Sequence, residues 1–210
     1  QQDLQQAQFA KDVQDSFAKQ LNAYRQSKGV SQMVWNQDIA DFESDRAESI
    51  ANGTRSTDSI KSIHEGSKTG IALVMAKQGK MVFSGENETG YVIQSSDLSA
   101  DDIAQALLNR WIQSTGHNAN QLNPDYQEFG FGLAYGKLEG YPVVYAYTGF
   151  AAPFNQQETH GEIDKFGTYQ DVVDEFAKYN ASPLSNEALA QYHAEPHVET
   201  FDDIKANADA

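Results

Sequence analysis

The sequence has no cysteine among its 210 residues. Disulfides, thiolate metal sites and thiol nucleophiles are thereby excluded together. Bases are scarce too: 15 Lys and Arg stand against 30 Asp and Glu, a formal charge of −15. Phosphate would be repelled by such a chain, which argues against nucleic acid or an anionic lipid surface as the main partner. No apolar run approaches the ~20 residues that a bilayer-spanning helix requires. Nor does the sequence open with the basic start, apolar stretch and cleavage site of a signal peptide. What is present suffices for a core: 40% of residues are hydrophobic and 11% aromatic, in a length suited to one domain with an appendage.

The acidity is uneven. Residues 151–210 carry 12 of the acids and 3 of the bases, net −9, against −6 for residues 1–150. That shift marks a boundary near Ala151-Ala152-Pro153, at the end of an aromatic-rich strand pair.

Hydrophobic spacing predicts three helices before that boundary. Phe9, Val13, Phe17, Leu21 and Tyr24 form one stripe of an amphipathic helix, ended by Gly29 after Lys28. A second helix follows Trp35 with Asn36 as its N-cap; its inner face carries Ile39, Ala40, Ala47, Ile50 and Ala51, and Gly53 stops it. Glu43 interrupts that face and is expected to snorkel to the surface. The third helix starts at a Ser99/Asp102 capping box and buries Ile103, Leu107 and Trp111.

Between the second and third helices, residues 54–70 read as a polar loop containing His64. Ile71 to Phe83 reads as a hairpin turning at Gln78-Gly79. Two antiparallel strands close the region. In the first, Phe129, Phe131, Leu133 and Tyr135 alternate with Gly130, Gly132, Ala134 and Gly136, so one face is bulky and the other nearly bare. The second runs from Tyr141 to Phe150. Helices early and strands late, without regular alternation, predict an α+β fold.

Three features carry chemistry: His64, the segment Gly85-Glu86-Asn87-Glu88, and Trp111 to His117. Their separations make no compact zinc signature. From spacing alone they read as a surface loop histidine, a carboxylate in a turn, and a histidine beyond a helix C-terminus.

Taken in order, however, the segments resemble the CAP superfamily of cysteine-rich secretory proteins, antigen 5 and pathogenesis-related proteins, specifically its bacterial secreted branch. Leu21-Asn22-Ala23-Tyr24-Arg25 with Gly29 resembles the first-helix signature. Trp35-Asn36 with Ile39-Ala40 and Arg46-Ala47 resembles the second. Gly85-Glu86-Asn87 matches a Gly-Glu-Asn segment; Trp111, Ser114, Gly116, His117, Asn120 and Leu122 resemble the Trp-x-x-Ser-x-Gly-His-x-x-Asn-x-Leu pattern. Gly130-Phe131-Gly132 and the Tyr-rich strand match the last block. The likeness covers about 135 residues, roughly 17–150.

The resemblance implies a three-layer α-β-α sandwich with a central antiparallel sheet, assigned here to residues 1–155; residues 156–210 fall outside it and read, from their charge and spacing, as an acidic helical extension. In that fold His64, Glu86 and His117 would converge with Ser114 at a shallow polar cleft. Many members carry a second glutamate where this chain has Ser114, so the full two-histidine, two-glutamate set is absent. Glu43 also departs from the alanine the family prefers.

Two classes of function follow. The first-ranked is a secreted, extracellular binding or interaction module, possessing no required cofactor and holding zinc or another divalent cation weakly through His64, His117 and Glu86. Its partner would be an extracellular protein or a small apolar ligand gripped by Tyr141, Tyr145, Tyr147, Phe150 and Phe154, although these aromatics are better read as filling the sandwich core. The alternative is a metal-assisted peptidase or esterase, in which bound zinc lowers the pKa of a water to ~7 with Glu88 or Ser114 nearby. A Ser114/His117 pair three residues apart is conceivable without metal, but no orienting acid or oxyanion hole accompanies it. Missing cysteines suit a secreted Gram-positive protein better than animal or plant members. The Asn52, Asn87 and Asn180 sequons are then chance matches. In the extension, helices are expected near 168–179 and 185–194. His193 and His197 are separated by Pro196 and read as surface residues.

Overall fold

The computed structural model describes residues 2–53, 64, 67–80, 82–93, 95 and 97–153. The extension expected over 156–210, with its helices and histidines, lies outside the described residues, as does Phe154. Helix α1 (Gln2–Ser27) leads into a two-residue strand β1 (Val34–Trp35) and helix α2 (Gln37–Ala51). Then come α3 (Ser67–Lys77), β2 (Val82–Val92), α4 (Ala100–Ile112), α5 (Thr115–Gln121), β3 (Glu128–Leu138) and β4 (Tyr141–Pro153).

The termini of the helices follow the predicted signals. At the end of α1, Gly29 adopts a φ of 75°, and Val30 N–H returns to the Arg25 carbonyl at 2.9 Å. The Asn36 side chain caps α2 by accepting from the Asp38 and Ile39 amides. Ser99 and Asp102 form the reciprocal capping box of α4.

The sheet has the order β1-β3-β4-β2. Strand β4 lies between β3 and β2 and pairs antiparallel with both. Strand β1 adds a short parallel edge, Val34 opposite Glu128 and Trp35 opposite Phe129. The three long strands are therefore antiparallel, as the resemblance implied, with this small parallel addition.

Strand alternation separates the two faces. Phe129, Phe131, Val144, Ala146 and Phe150 join Val13, Phe17 and Leu21 of α1 and Ile103, Leu107 and Trp111 of α4 in one buried cluster. Phe17 stacks on Phe131 with centroids 4.2 Å apart and meets Trp111 edge-on at 5.5 Å. On the opposite face α2 lies against the bare side of β3. A Cβ on Gly130 would run into the Ala40 backbone, and one on Gly132 into the Ser44 backbone. These two glycines let α2 rest directly on the strand, and the result is the three-layer sandwich.

Two local expectations are corrected. Ile71 to Lys77 is helix, not the first arm of a hairpin, and the helix already begins at Ser67 inside the expected loop. Ile71, Ala72, Leu73, Met75 and Ala76 are all buried; an element buried almost all round has no polar stripe to reveal its period. Gln78-Gly79 does turn the chain, but as the end of a helix: Lys80 N–H bonds to the Met75 carbonyl at 2.9 Å. The second correction concerns His117, which lies within the short helix α5 rather than beyond a helix end. Its sequence, Thr-Gly-His-Asn-Ala-Asn-Gln, has no apolar period to announce it.

Candidate functional site

Each predicted site residue is placed by a different element. Glu86 belongs to β2, not to a turn, and pairs with Gly149 of β4. Gly149 has no side chain, and a Cβ there would meet Ile39, Glu43 and Ile71; Glu86 therefore shares the α2 face. Here Arg46 meets it: Arg46 Nη2 donates to Glu86 Oε1 at 3.0 Å, and Nε lies 2.9 Å from Oε2. Both side chains are essentially closed to solvent. Glu43 joins them, with Oε2 3.9 Å from Arg46 Nε.

Glu43 thus does not snorkel. It is fully buried, because α2 sits too close to the sheet for a side chain on its inner face to reach water, and the guanidinium one turn on supplies a countercharge. Arg46 also lies over the Phe42 and Tyr147 rings, at 5.5 and 5.2 Å. Burial lowers the Arg46 pKa, but the fields of Glu86 and Glu43 outweigh it and raise the net value. For Glu86, burial pushes upward; the Arg46 charge and the His64 hydrogen bond overcome it and hold the carboxyl at about 2. It is a carboxylate at any ordinary pH.

His64 precedes α3, and its carbonyl accepts from the Ser67 amide at 3.0 Å. Its Nδ1 lies 3.0 Å from Glu86 Oε1, while a third of the side chain stays exposed. His117 pairs instead with Ser114, Nδ1 to Oγ at 2.8 Å. Ser114 occupies the N-cap position of α5 without a side-chain capping bond; its hydroxyl serves the imidazole. Asn87 Nδ2 donates to the His117 carbonyl at 3.0 Å, and Asn120 Nδ2 to Asn87 Oδ1 at 2.9 Å, fastening α5 to β2. Burial, and secondarily the nearby His64, lower the His117 pKa to about 4, so its ring is neutral at physiological pH.

The four residues therefore come together as two bonded pairs, His64–Glu86 and His117–Ser114. The open cleft at the His117–Ser114 pair has a volume of about 80 Å³, room for several waters. Its lining includes Glu88, Arg110, Gln113, Ser114 and His117, but neither His64 nor Glu86. Arg110 Nε donates to Thr89 Oγ1 at 3.1 Å. Trp111, which also lines the cleft, donates its indole N–H to the Glu88 carbonyl at 3.0 Å. Among the described residues no three His, Asp or Glu side chains are grouped so as to hold a metal ion. A three-ligand shell through Glu86 does not fit, because Arg46 and His64 already engage its carboxylate.

Sequence reasoning missed two buried arginines that build this region. Arg46 is one. The other, Arg25 of α1, donates to the carbonyls of Ser31, Gln121, Asn123 and Tyr126 at 2.8–3.2 Å, tying α1 to the segment after α5. Both stood in the quoted signatures, yet nothing in a charged residue's identity announces burial. Of the aromatics considered for an apolar ligand, Tyr145, Tyr147 and Phe150 lie in the core and Tyr141 is exposed.

The sequence matches the profile of the CAP family, described as the cysteine-rich secretory protein family, over residues 19–150. The chain belongs to this family. Among solved structures it is similar to an outer surface protein of Borrelia burgdorferi, with 10% identity, a TM-score of 0.50, and coverage of 69% of this chain and 96% of that one. It is also similar to a cysteine-rich secretory protein from Staphylococcus aureus (18% identity, TM-score 0.44, 68% of this chain and 39% of that one). A third similar structure is an extracellular protein containing a SCP domain from Bacillus anthracis (20% identity, TM-score 0.42, 67% of this chain and 40% of that one). No curated protein sequence matches the chain. No helix among the described residues is long and apolar enough to cross a membrane.

Proposed function

We propose that the protein is a secreted or cell-surface CAP module of bacterial, Gram-positive type that acts by binding a partner rather than by turning over a substrate. The state of Glu86 carries this reading. An acid–base catalyst needs a carboxyl poised near the operating pH, whereas Arg46 keeps Glu86 ionised and occupied. Extracellular placement is supported by the family's secretory character and by the description of the Borrelia relative as an outer surface protein. The partner is an extracellular protein that the polar cleft recognises. An apolar ligand finds less support, since three of the aromatics suited to it fill the core; lipid recovered by mass spectrometry from the purified protein would restore that version.

A divalent cation such as zinc is held only weakly, by His64 and His117. Calorimetric titration should give small, substoichiometric heats that vanish in the His64→Ala/His117→Ala double variant; identical heats in both proteins would remove zinc from the picture. The rival reading is metal-assisted peptide or ester hydrolysis. Broad screening with and without zinc should find no turnover, and a metal-dependent activity abolished by His117→Ala would replace binding by catalysis.

A further inference from the structure

We propose that the acidic extension, residues 154–210, folds back on α3 and covers the side of that helix turned away from the core it shares with α2 and the sheet.

Helix α3 is buried on two sides. Ile71 and Met75, about 40° apart around the helix, pack with Ile39 and Phe42 of α2 and with Val82 and Ala151 of the sheet. Ala72, Ala76 and Leu73 lie about 100–200° around the helix from Ile71. They are closed to solvent as well, at 8, 7 and 2% exposure. None of the three belongs to an apolar cluster that the described residues form. The described elements packed on α3 are principally α2, β2 and β4. A helix that is apolar on both sides is an inner element and takes a cover on its second side.

Charge and position choose the covering segment. Residues 67–80 carry Lys68, Lys77 and Lys80, all exposed, and no acid, although the chain has 30 acids for 15 bases. Residues 154–210 hold 12 acids and 3 bases, whereas the connection before α3, residues 54–66, holds two of each. Of these two segments only the extension is complementary to α3 in sign. It also starts in the right place. Pro153 pairs with Val82, and Val82 shares a cluster with Ile71 and Met75, so β4 ends beside α3. Residues 154–171 reach up to about 60 Å when extended, against about 16 Å for the length of α3. After them come Val172, Val173, Phe176 and Tyr179, an apolar stripe at helical spacing. That stripe, set on Ala72, Leu73 and Ala76 with its flanking acids near the three lysines, accounts for the burial of the second side.

Carbodiimide cross-linking of the full chain, which joins a lysine amine directly to a neighbouring carboxyl, tests the contact by peptide mass spectrometry. The Lys80–Glu128 pair, 3.0 Å apart, is the internal control. Lys68, Lys77 or Lys80 should also link to acids between Glu158 and Asp203, with a yield several-fold lower in 1 M salt, which screens such pairs. Links to Asp58 or Glu65 in their place, or to Glu128 alone, overturn the proposal. So do mixed-label links in a mixture of ¹⁵N-labelled and unlabelled chains, which would assign the cover to a second copy. The absence of native cysteine allows an independent measurement on the full chain. Ala76→Cys should react slowly with a thiol reagent, and adding Val173→Asp and Phe176→Asp should raise that rate by about tenfold or more, while circular dichroism stays native. Adding Ile60→Asp instead should leave the rate low. An equal or greater rise with Ile60→Asp, or no rise with either, overturns the proposal.

Discussion

The two faces of the sheet solve the same packing problem in opposite ways. Against α1 and α4 the sheet presents Phe129, Phe131 and Phe150, and the space is filled with rings and aliphatic chains. Against α2 it presents glycines, and the helix backbone itself takes the space. The first face is apolar except at the end of α1, where carbonyls receive the buried Arg25; the second encloses Glu43, Arg46 and Glu86. Filling space with side chains leaves rotamers that can adjust, whereas filling it with backbone leaves almost none. Glu86, with Arg46 and Glu43, sits on the face with less freedom.

Changes that attack close backbone contact should be the most damaging. Gly132→Ala puts a methyl group into the α2 backbone and should cost more than about 3 kcal/mol, beyond ordinary overpacking; urea denaturation measures it, and a near-neutral result would mean that α2 can move off the sheet. Next comes Arg46→Met, which leaves buried carboxylates without their cation and should cost about 3–5 kcal/mol. Phe131→Ala on the apolar face should cost a similar 3–5 kcal/mol. Acid distinguishes the two faces: the Arg46→Met deficit should shrink as Glu86 becomes protonated, and the Phe131→Ala deficit should not.

His117 sharpens the comparison through pH. Its folded pKa is about 4 against an ordinary 6.5, so the unfolded chain takes up the proton first as pH falls. Its contribution is complete above pH 6.5 and is lost towards pH 4, by up to about 3 kcal/mol. His117→Gln should flatten that part of the stability profile. Glu86 acts lower, its contribution fading below its ordinary 4.5 and gone under about 2. The smallest effect is expected at the exposed cap, where Ser99→Ala should cost about 1 kcal/mol in thermal melts.

Much of the fold was legible because its signals are local. The stripes of α1 and α4, the caps at Asn36 and Ser99, and the alternation of glycine and bulky residues in β3 each need only a short window of sequence. Helix α3 was read as strand because burial on nearly all sides erased its polar stripe, and α5 escaped notice because it has almost no apolar residues. The family resemblance singled out His64, Glu86, Ser114 and His117, but not their division into two pairs. That division depends on Arg46 reaching across 40 positions to Glu86, and on Glu43 finding a countercharge inside the protein. Such compensation has no sequence period.

The position of β4 has a kinetic consequence. It is the last described strand in chain order, yet both β2 and β3 pair with it along nearly their whole length. During synthesis the apolar stripe of α1 must therefore wait, without its sheet, until more than a hundred further residues have emerged. Loops of that length make nucleation slow and leave the waiting surface open to unwanted association. Folding should accordingly be limited by the docking of β4, and nascent chains stopped before Tyr141 should depend on chaperones to remain dispersed.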